Sequence, residues 1–173
     1  NRLAGVLEET LDLDAFLKLA GDASELQAPS PSVPSLAPGL GKPRIAVAED
    51  EAFCFTYLDN LELLEEMGAE LVHFSPLEDQ ELPEGINGMI LSGGYPELHA
   101  ARLSANKSMR EAIRRAVKNG MPCIAECGGF LYLHRELEGT DGAFYPMAGV
   151  IDAKAYKTDR LGRFGYITLE ARE

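Results

Sequence analysis

The hydrophobic pattern changes character near residue 43. Before it, residues 7–20 carry apolar side chains at Leu11, Phe16, Leu17 and Leu19 and stop at Gly21, which predicts a short amphipathic helix. Asp12 or Asp14 is placed to cap its second part. One helix cannot bury its own apolar face, so residues 1–21 are expected to end a domain that lies upstream. Residues 22–42 show no periodicity and are rich in Pro, Ser, Ala and Gly. Pro29, Pro31, Pro34, Pro38 and Pro43 are five of the ten prolines. That composition reads as an extended interdomain linker, with an ordered loop as the alternative.

From residue 43 strands and helices alternate. Short apolar runs at 44–49, 70–74, 88–91 and 122–125 read as buried strands. The Asp59…Glu62 spacing predicts a capped helix carrying Leu61, Leu64 and Met67 and ending at Gly68. The Ser108…Glu111 spacing predicts another, with Met109, Ile113 and Val117 on one face and Gly120 at its end. A third helix is expected over 128–137. Beyond it, 139–142 is a turn, and 147–151 and 164–169 read as strands added antiparallel. The pattern stops at Glu173 without a turn or cap, which reads as truncation, so 43–173 is expected to be one domain shortened at its C-terminus. The alternation predicts an α/β fold, a mainly parallel sheet with helices on both faces. Such sheets bind ligands beyond the carboxyl ends of their strands, which selects the loops after Glu49, at Gly93-Gly94 and at Cys127.

The 173 residues, 46% of them hydrophobic, suffice for one domain with a core plus an appendage. With 16 basic and 28 acidic side chains the net charge is −12, which disfavours nucleic acid and anionic membranes as partners. No apolar run is long enough to span a bilayer. The three cysteines have no metal-ligand spacing, so no metal site is expected, and reduced thiols point to a cytoplasmic protein.

Around Cys127 a short apolar strand runs into Glu126-Cys127, and Gly128-Gly129 opens a helix. A strand–turn–helix of this kind lifts a side chain above the sheet in a strained backbone, with free N–H groups beside it for an oxyanion. Cys127 is therefore the candidate nucleophile. Cys123, on the strand, and Cys54, between Phe53 and Phe55, are expected to be packed. Gly93 and Gly94 follow a buried strand and let backbone approach a ligand. Of the histidines, His134 is expected two turns down the Cys127 helix and out of reach. His73 is expected on a strand, and His99 near the carboxyl edge. No phosphate-loop or dinucleotide fingerprint is present.

Four stretches together carry a resemblance. They are Pro43 to Asp50 with Ala52-Phe53; Leu91-Ser92-Gly93-Gly94-Tyr95-Pro96-Glu97-Leu98-His99; Ala125-Glu126-Cys127-Gly128-Gly129; and Asp159 to Tyr166. Residues 43–173 resemble the glutaminase domain of cobyrinate a,c-diamide synthases, a branch of the class I (triad) glutamine amidotransferases with a flavodoxin-like α/β fold. Cobyric acid synthases share the chemistry, but Gly93 to Leu98 points to the a,c-diamide branch.

The resemblance implies that Cys127 attacks the side-chain amide of glutamine. It implies an oxyanion held by N–H groups of Gly128 and the Gly93-Gly94 turn, and ammonia passing to an N-terminal synthetase domain that carries ATP, Mg2+ and the corrinoid substrate. No cofactor is implied for the glutaminase domain itself, and residues 1–21 resemble the last helix of the synthetase. Ala125 departs from the family elbow, which often has Gly there. The family's triad His lies further downstream than Glu173 and has no match in this sequence, so the chain alone is expected to be inactive. Alternatives are a nickel-sirohydrochlorin a,c-diamide synthase with the same motifs, a non-catalytic glutaminase-like binding module, and a cysteine hydrolase of the intracellular-protease type, which Gly128 in place of His disfavours. An unpaired sheet edge near the end of the chain would favour a homodimer.

Overall fold

The run Ile45-Ala46-Val47-Ala48 has no polar side chain to present to water, and it forms the inner strand of a sheet. The computed structural model describes residues 2–26, 41–160 and 168. In it β1 (Arg44–Ala48) pairs in parallel with β2 (Glu70–Phe74) on one side and β3 (Gly88–Leu91) on the other. β4 (Cys123–Ala125) joins β3, so the order is β2-β1-β3-β4, all parallel. Register aligns Ala46, Met89 and Cys123 in one row and Ala48, Leu91 and Ala125 in the next. These side chains share a face and meet Leu103, Met109, Ile113 and Tyr132 in the main core. That face is covered by α4 (Ala100–Ala105), α5 (Lys107–Lys118) and α6 (Gly128–Tyr132). α3 (Leu58–Glu66) lies on the other face, with Leu61 and Leu64 beside Ile90 and Ile124. The α/β arrangement with helices on both faces is as the alternation predicts.

Both expected capping boxes are unused. α3 starts at Leu58, before Asp59, and its cap residue Tyr57 makes no side-chain bond. α5 is capped by Asn106, whose Oδ1 accepts from the Met109 N–H, while Ser108 donates to Gln80. Asn106 wins because it is buried, and its amide also donates to the carbonyls of Pro76 and Asp79 at 3.0 and 2.7 Å. Both helices do stop at the expected glycines, Gly68 and Gly120, at φ of 99° and 93°.

The largest difference follows Cys127. α6 ends at Tyr132, and β5 (His134–Glu138) replaces the rest of the expected helix. The carbonyls of Tyr132, Leu133 and His134 accept from Ala148, Ile151 and Gly149 at 2.9–3.0 Å. Those partners lie outside the helix, so it cannot continue. β5 pairs antiparallel with β6 (Phe144–Pro146) and parallel with β7 (Ile151–Ala155) in a second, three-stranded sheet. The expected strand at 147–151 is thus only a connection into β7, and β7 is parallel rather than antiparallel. The strand expected at 164–169 lies, but for Thr168, outside the described residues, as does most of the proline-rich stretch.

Residues 2–26 belong to a unit of their own. The predicted helix is two: α1 (Arg2–Thr10) and α2 (Leu13–Gly21). Asp12 ends the first and caps the second, its Oδ1 accepting from the Ala15 N–H at 2.9 Å. Neither helix buries a residue within this unit, and Leu3, Phe16, Leu17 and Leu19 are all exposed. No helix among the described residues is long and apolar enough to cross a membrane.

Candidate functional site

The carboxyl ends of β3 and β4 converge. The Glu126 N–H donates to the Leu91 carbonyl at 3.1 Å, which extends the β3–β4 ladder by one step. The chain then reverses at Cys127, with φ 46° and ψ −107°, the only non-glycine residue of positive φ among those described. An L-residue avoids this conformation because its Cβ crowds the backbone, so it persists only where the surroundings impose it.

The two following glycines show what imposes it. A Cβ on Gly129 would lie 2.1 Å from the Leu91 carbonyl oxygen, and its N–H donates to the carbonyls of Ser92 and Glu126. A Cβ on Gly128 would lie 2.8 Å from Pro96 Cδ and 3.0 Å from both N and O of Gly94. The short α6 is therefore seated against the end of β3 and the 94–96 turn, and Cys127 is left exposed at its start. The two missing side chains admit this close packing, and Gly129 carries most of it.

Gly93 and Gly94 lie across from Cys127, as the strand order predicts. A Cβ on Gly93 would be 3.7 Å from the Cys127 Cβ. Gly94, at φ 155°, could carry no Cβ, since one would sit 2.1 Å from the Ala52 carbonyl oxygen. Among the described residues no carbonyl accepts from the N–H of Gly94 or Gly128. Two backbone donors without a carbonyl partner among the described residues therefore belong to residues packed next to Cys127.

Cys127, Gly94 and Tyr95 open on a cavity of about 710 Å3. Leu131, Leu137 and Ala155 supply apolar wall, and Glu97, Glu138 and Lys157 supply charge. The Lys157 N–H donates to the Glu138 carboxylate at 2.9 Å, which ties the end of β7 to that of β5. A pocket with an apolar wall, both signs of charge and one exposed thiol suits a small zwitterion with a reactive carbonyl group. Glu97 stands in a motif already singled out; Glu138 and Lys157 gave no signal, because only the pairing of β5 with β7 brings them to the pocket.

No histidine lines this cavity among the described residues. His134 is not on α6 but opens β5, buried, with Nδ1 2.9 Å from the Phe130 carbonyl oxygen. His73 pairs with Glu49. His99 closes the 310 turn Pro96–His99. Cys123 is half-buried against the core, and burial pushes its thiol pKa up. Cys54 is exposed rather than packed, because the loop turns Phe53 inward and leaves Cys54 and Phe55 outside. Among the described residues no group of three or more His, Cys, Asp or Glu is placed to hold a metal ion.

Residues 44–172 match the CobB/CobQ-like glutamine amidotransferase domain. The chain is 51% identical over 129 residues to the cobyrinate a,c-diamide synthase of Caldanaerobacter subterraneus, covering 75% of this chain and 28% of that one. It is 43% identical over 165 residues to that of Dehalococcoides mccartyi, covering 95% and 36%. It is 47% identical over 164 residues to the hydrogenobyrinate a,c-diamide synthase of Pseudomonas aeruginosa, covering 89% and 38%. The chain therefore spans only about a third of the length of these curated relatives.

Proposed function

This chain belongs to the CobB/CobQ-like glutamine amidotransferase domain family, and from that premise we propose that Cys127 is the nucleophile of a glutaminase that supplies ammonia for amidation of carboxylates on a corrinoid. The observation that carries this reading is the strained Cys127 turn, with the free N–H groups of Gly94 and Gly128 beside an exposed thiol. The thiolate attacks the amide carbon of the glutamine side chain. The carbonyl oxygen takes up the displaced electron pair, and the two N–H groups stabilise it where charge develops. Collapse of the tetrahedral intermediate expels ammonia, with a proton supplied to the leaving nitrogen, and leaves a thioester. Water cleaves the thioester, releasing glutamate and the thiol.

Glutamine fits the cavity chemically. Its apolar methylenes match Leu131, Leu137 and Ala155, and its charged head matches Lys157 and the carboxylates of Glu97 and Glu138. None of His73, His99 and His134 lines the cavity, which supports a general base other than these three. The relatives named as a,c-diamide synthases support cobyrinate or hydrogenobyrinate as the acceptor. Activation of the acceptor carboxylate by ATP and Mg2+ falls in this reading to a synthetase part of the protein, which the greater length of the relatives supports. Reduced thiols and an acidic surface fit a cytoplasmic enzyme.

The test compares nitrogen donors in the complete protein. Cys127→Ala should abolish amidation from glutamine and leave amidation from ammonia near the wild-type rate. Glutamine-dependent product from Cys127→Ala would overturn the assignment.

A further inference from the structure

The loop between β1 and α3 sits against the back of the Gly93-Gly94 turn, and one carboxylate organises it. Asp50 Oδ1 accepts from the N–H groups of Ala52 and Phe53 at 2.8 and 3.1 Å. Its Oδ2 accepts from the Ser75 hydroxyl and the Leu77 N–H at 2.8 and 2.9 Å. All four bonds come from the loops after β1 and β2, so the half-buried carboxylate ties the two together. Phe53, fully buried and edge-on to Tyr132 at 5.4 Å, anchors the loop to the core. On the outside, Arg102 of α4 bonds Glu51 and Glu78, and the guanidinium holds the Glu51 carboxyl below its usual range. Both of those carboxylates are exposed, so this contributes little beside the Asp50 bonds.

From this loop three contacts reach the turn. The Ala52 carbonyl accepts from the Tyr95 N–H at 3.0 Å. The same oxygen fills the space that a Gly94 Cβ would need. Phe55 bridges Gly93, its N–H donating to the Gly93 carbonyl at 3.0 Å. Gly94 is thus gripped between Ala52 behind and Gly128 in front. The place of the Gly94 backbone is thus bounded by the Ala52 carbonyl, and Ala52 is itself held by its N–H bond to Asp50.

We propose that Asp50 is a positioning residue for catalysis at Cys127: it fixes the 50–53 loop so that the Gly94 N–H is held toward the oxyanion. This rests on the reading of Cys127 as the glutaminase nucleophile. It also gives a role to the Glu49-Asp50 end of β1, a stretch that takes no part in the chemistry. The donor acts on charge that exists only in the transition state. Misplacing it should therefore lower kcat for glutamine and leave KM alone. Alkylation of Cys127 by iodoacetamide forms no oxyanion, so it should be indifferent to Asp50.

The experiment uses the complete protein and Asp50→Asn. This keeps the shape but puts an NH2 group or a neutral oxygen where the carboxylate accepted four bonds. The expected result is a loss of about 10- to 100-fold in kcat for glutamate release, the scale of a misplaced catalytic group. KM should be unchanged, and Cys127 alkylation should stay within about twofold, since no oxyanion donor enters it. Equal loss of both reactivities, or no loss of kcat, would overturn the proposal while leaving the nucleophile assignment intact. Glutamine turnover surviving in Cys127→Ala would remove the nucleophile assignment and this proposal with it. Should Asp50→Asn not fold, Ser75→Ala deletes one of the four donors, and a smaller kcat loss of about 3- to 10-fold with unchanged alkylation is required.

Discussion

The strain at Cys127 can be measured by removing it. At φ 46° and ψ −107° an L-residue pays for a conformation that glycine adopts freely. The comparison is Cys127→Gly against Cys127→Ala, since both delete the sulfur and only one deletes the Cβ. Relief of the strain should favour Gly by about 1–3 kcal/mol. Against this, Gly leaves the unfolded chain more flexible, which costs about 0.4–1 kcal/mol. The Cβ is exposed with its residue, so little packing is lost with it. The balance leaves Cys127→Gly more stable than Cys127→Ala by about 1–2 kcal/mol, the reverse of the usual order of these residues. For a chain of this size that corresponds to a Tm higher by roughly 2–8 °C. Differential scanning calorimetry of the two variants reads it directly, and both should be inactive with glutamine. If the Ala variant matched or exceeded the Gly variant, the backbone at Cys127 would not be strained, and its close seating between β3 and the 94–96 turn would be refuted.

Other outcomes follow from particular contacts and exposures. Under limiting iodoacetamide near neutral pH, peptide mass spectrometry should find Cys127 modified first, then exposed Cys54, then Cys123. Because burial raises the Cys123 thiol pKa, its alkylation should keep accelerating at a pH where an ordinary thiol has levelled off. Gly94→Ala puts a Cβ about 1.3 Å inside ordinary contact with the Ala52 carbonyl, so the turn must move. Glutamine-dependent activity should fall by about 10²-fold or more while ammonia-dependent activity persists, and a loss of less than about tenfold would contradict the donor role. Asn106→Ala removes a buried cap and leaves the carbonyls of Pro76 and Asp79 unpaired, which should cost about 2–3 kcal/mol in denaturant unfolding. Asp59→Ala and Ser108→Ala, in capping boxes that are not used, should each cost under about 0.5 kcal/mol.

The parallel sheet and the strand–turn–helix that carries the thiol were legible in the residue pattern. Four short apolar runs separated by helical periods admit few arrangements, because both faces of each inner strand must be covered. The glycines at 93, 94, 128 and 129 were legible as close approaches because a missing Cβ has local meaning. Gly68 and Gly120 were legible as helix ends for the same reason. Helix starts were not: the Ser108…Glu111 spacing is a local signal, and Asn106 overrode it with partners some thirty residues away. Nor was the end of α6, since nothing in residues 128–137 announces that Ala148, Gly149 and Ile151 will take the carbonyls the helix needs. The exposure of Cys54 depended on which of its neighbours the core could accept. Asp50 stood in a visible motif, yet its purpose rests on Ser75 and Leu77, which only the β1–β2 pairing brings within reach. Period and missing side chains are properties of neighbouring residues and can be read from the chain. The partner of a backbone carbonyl or a carboxylate is set by chain topology, so it was decided only when the strands came together.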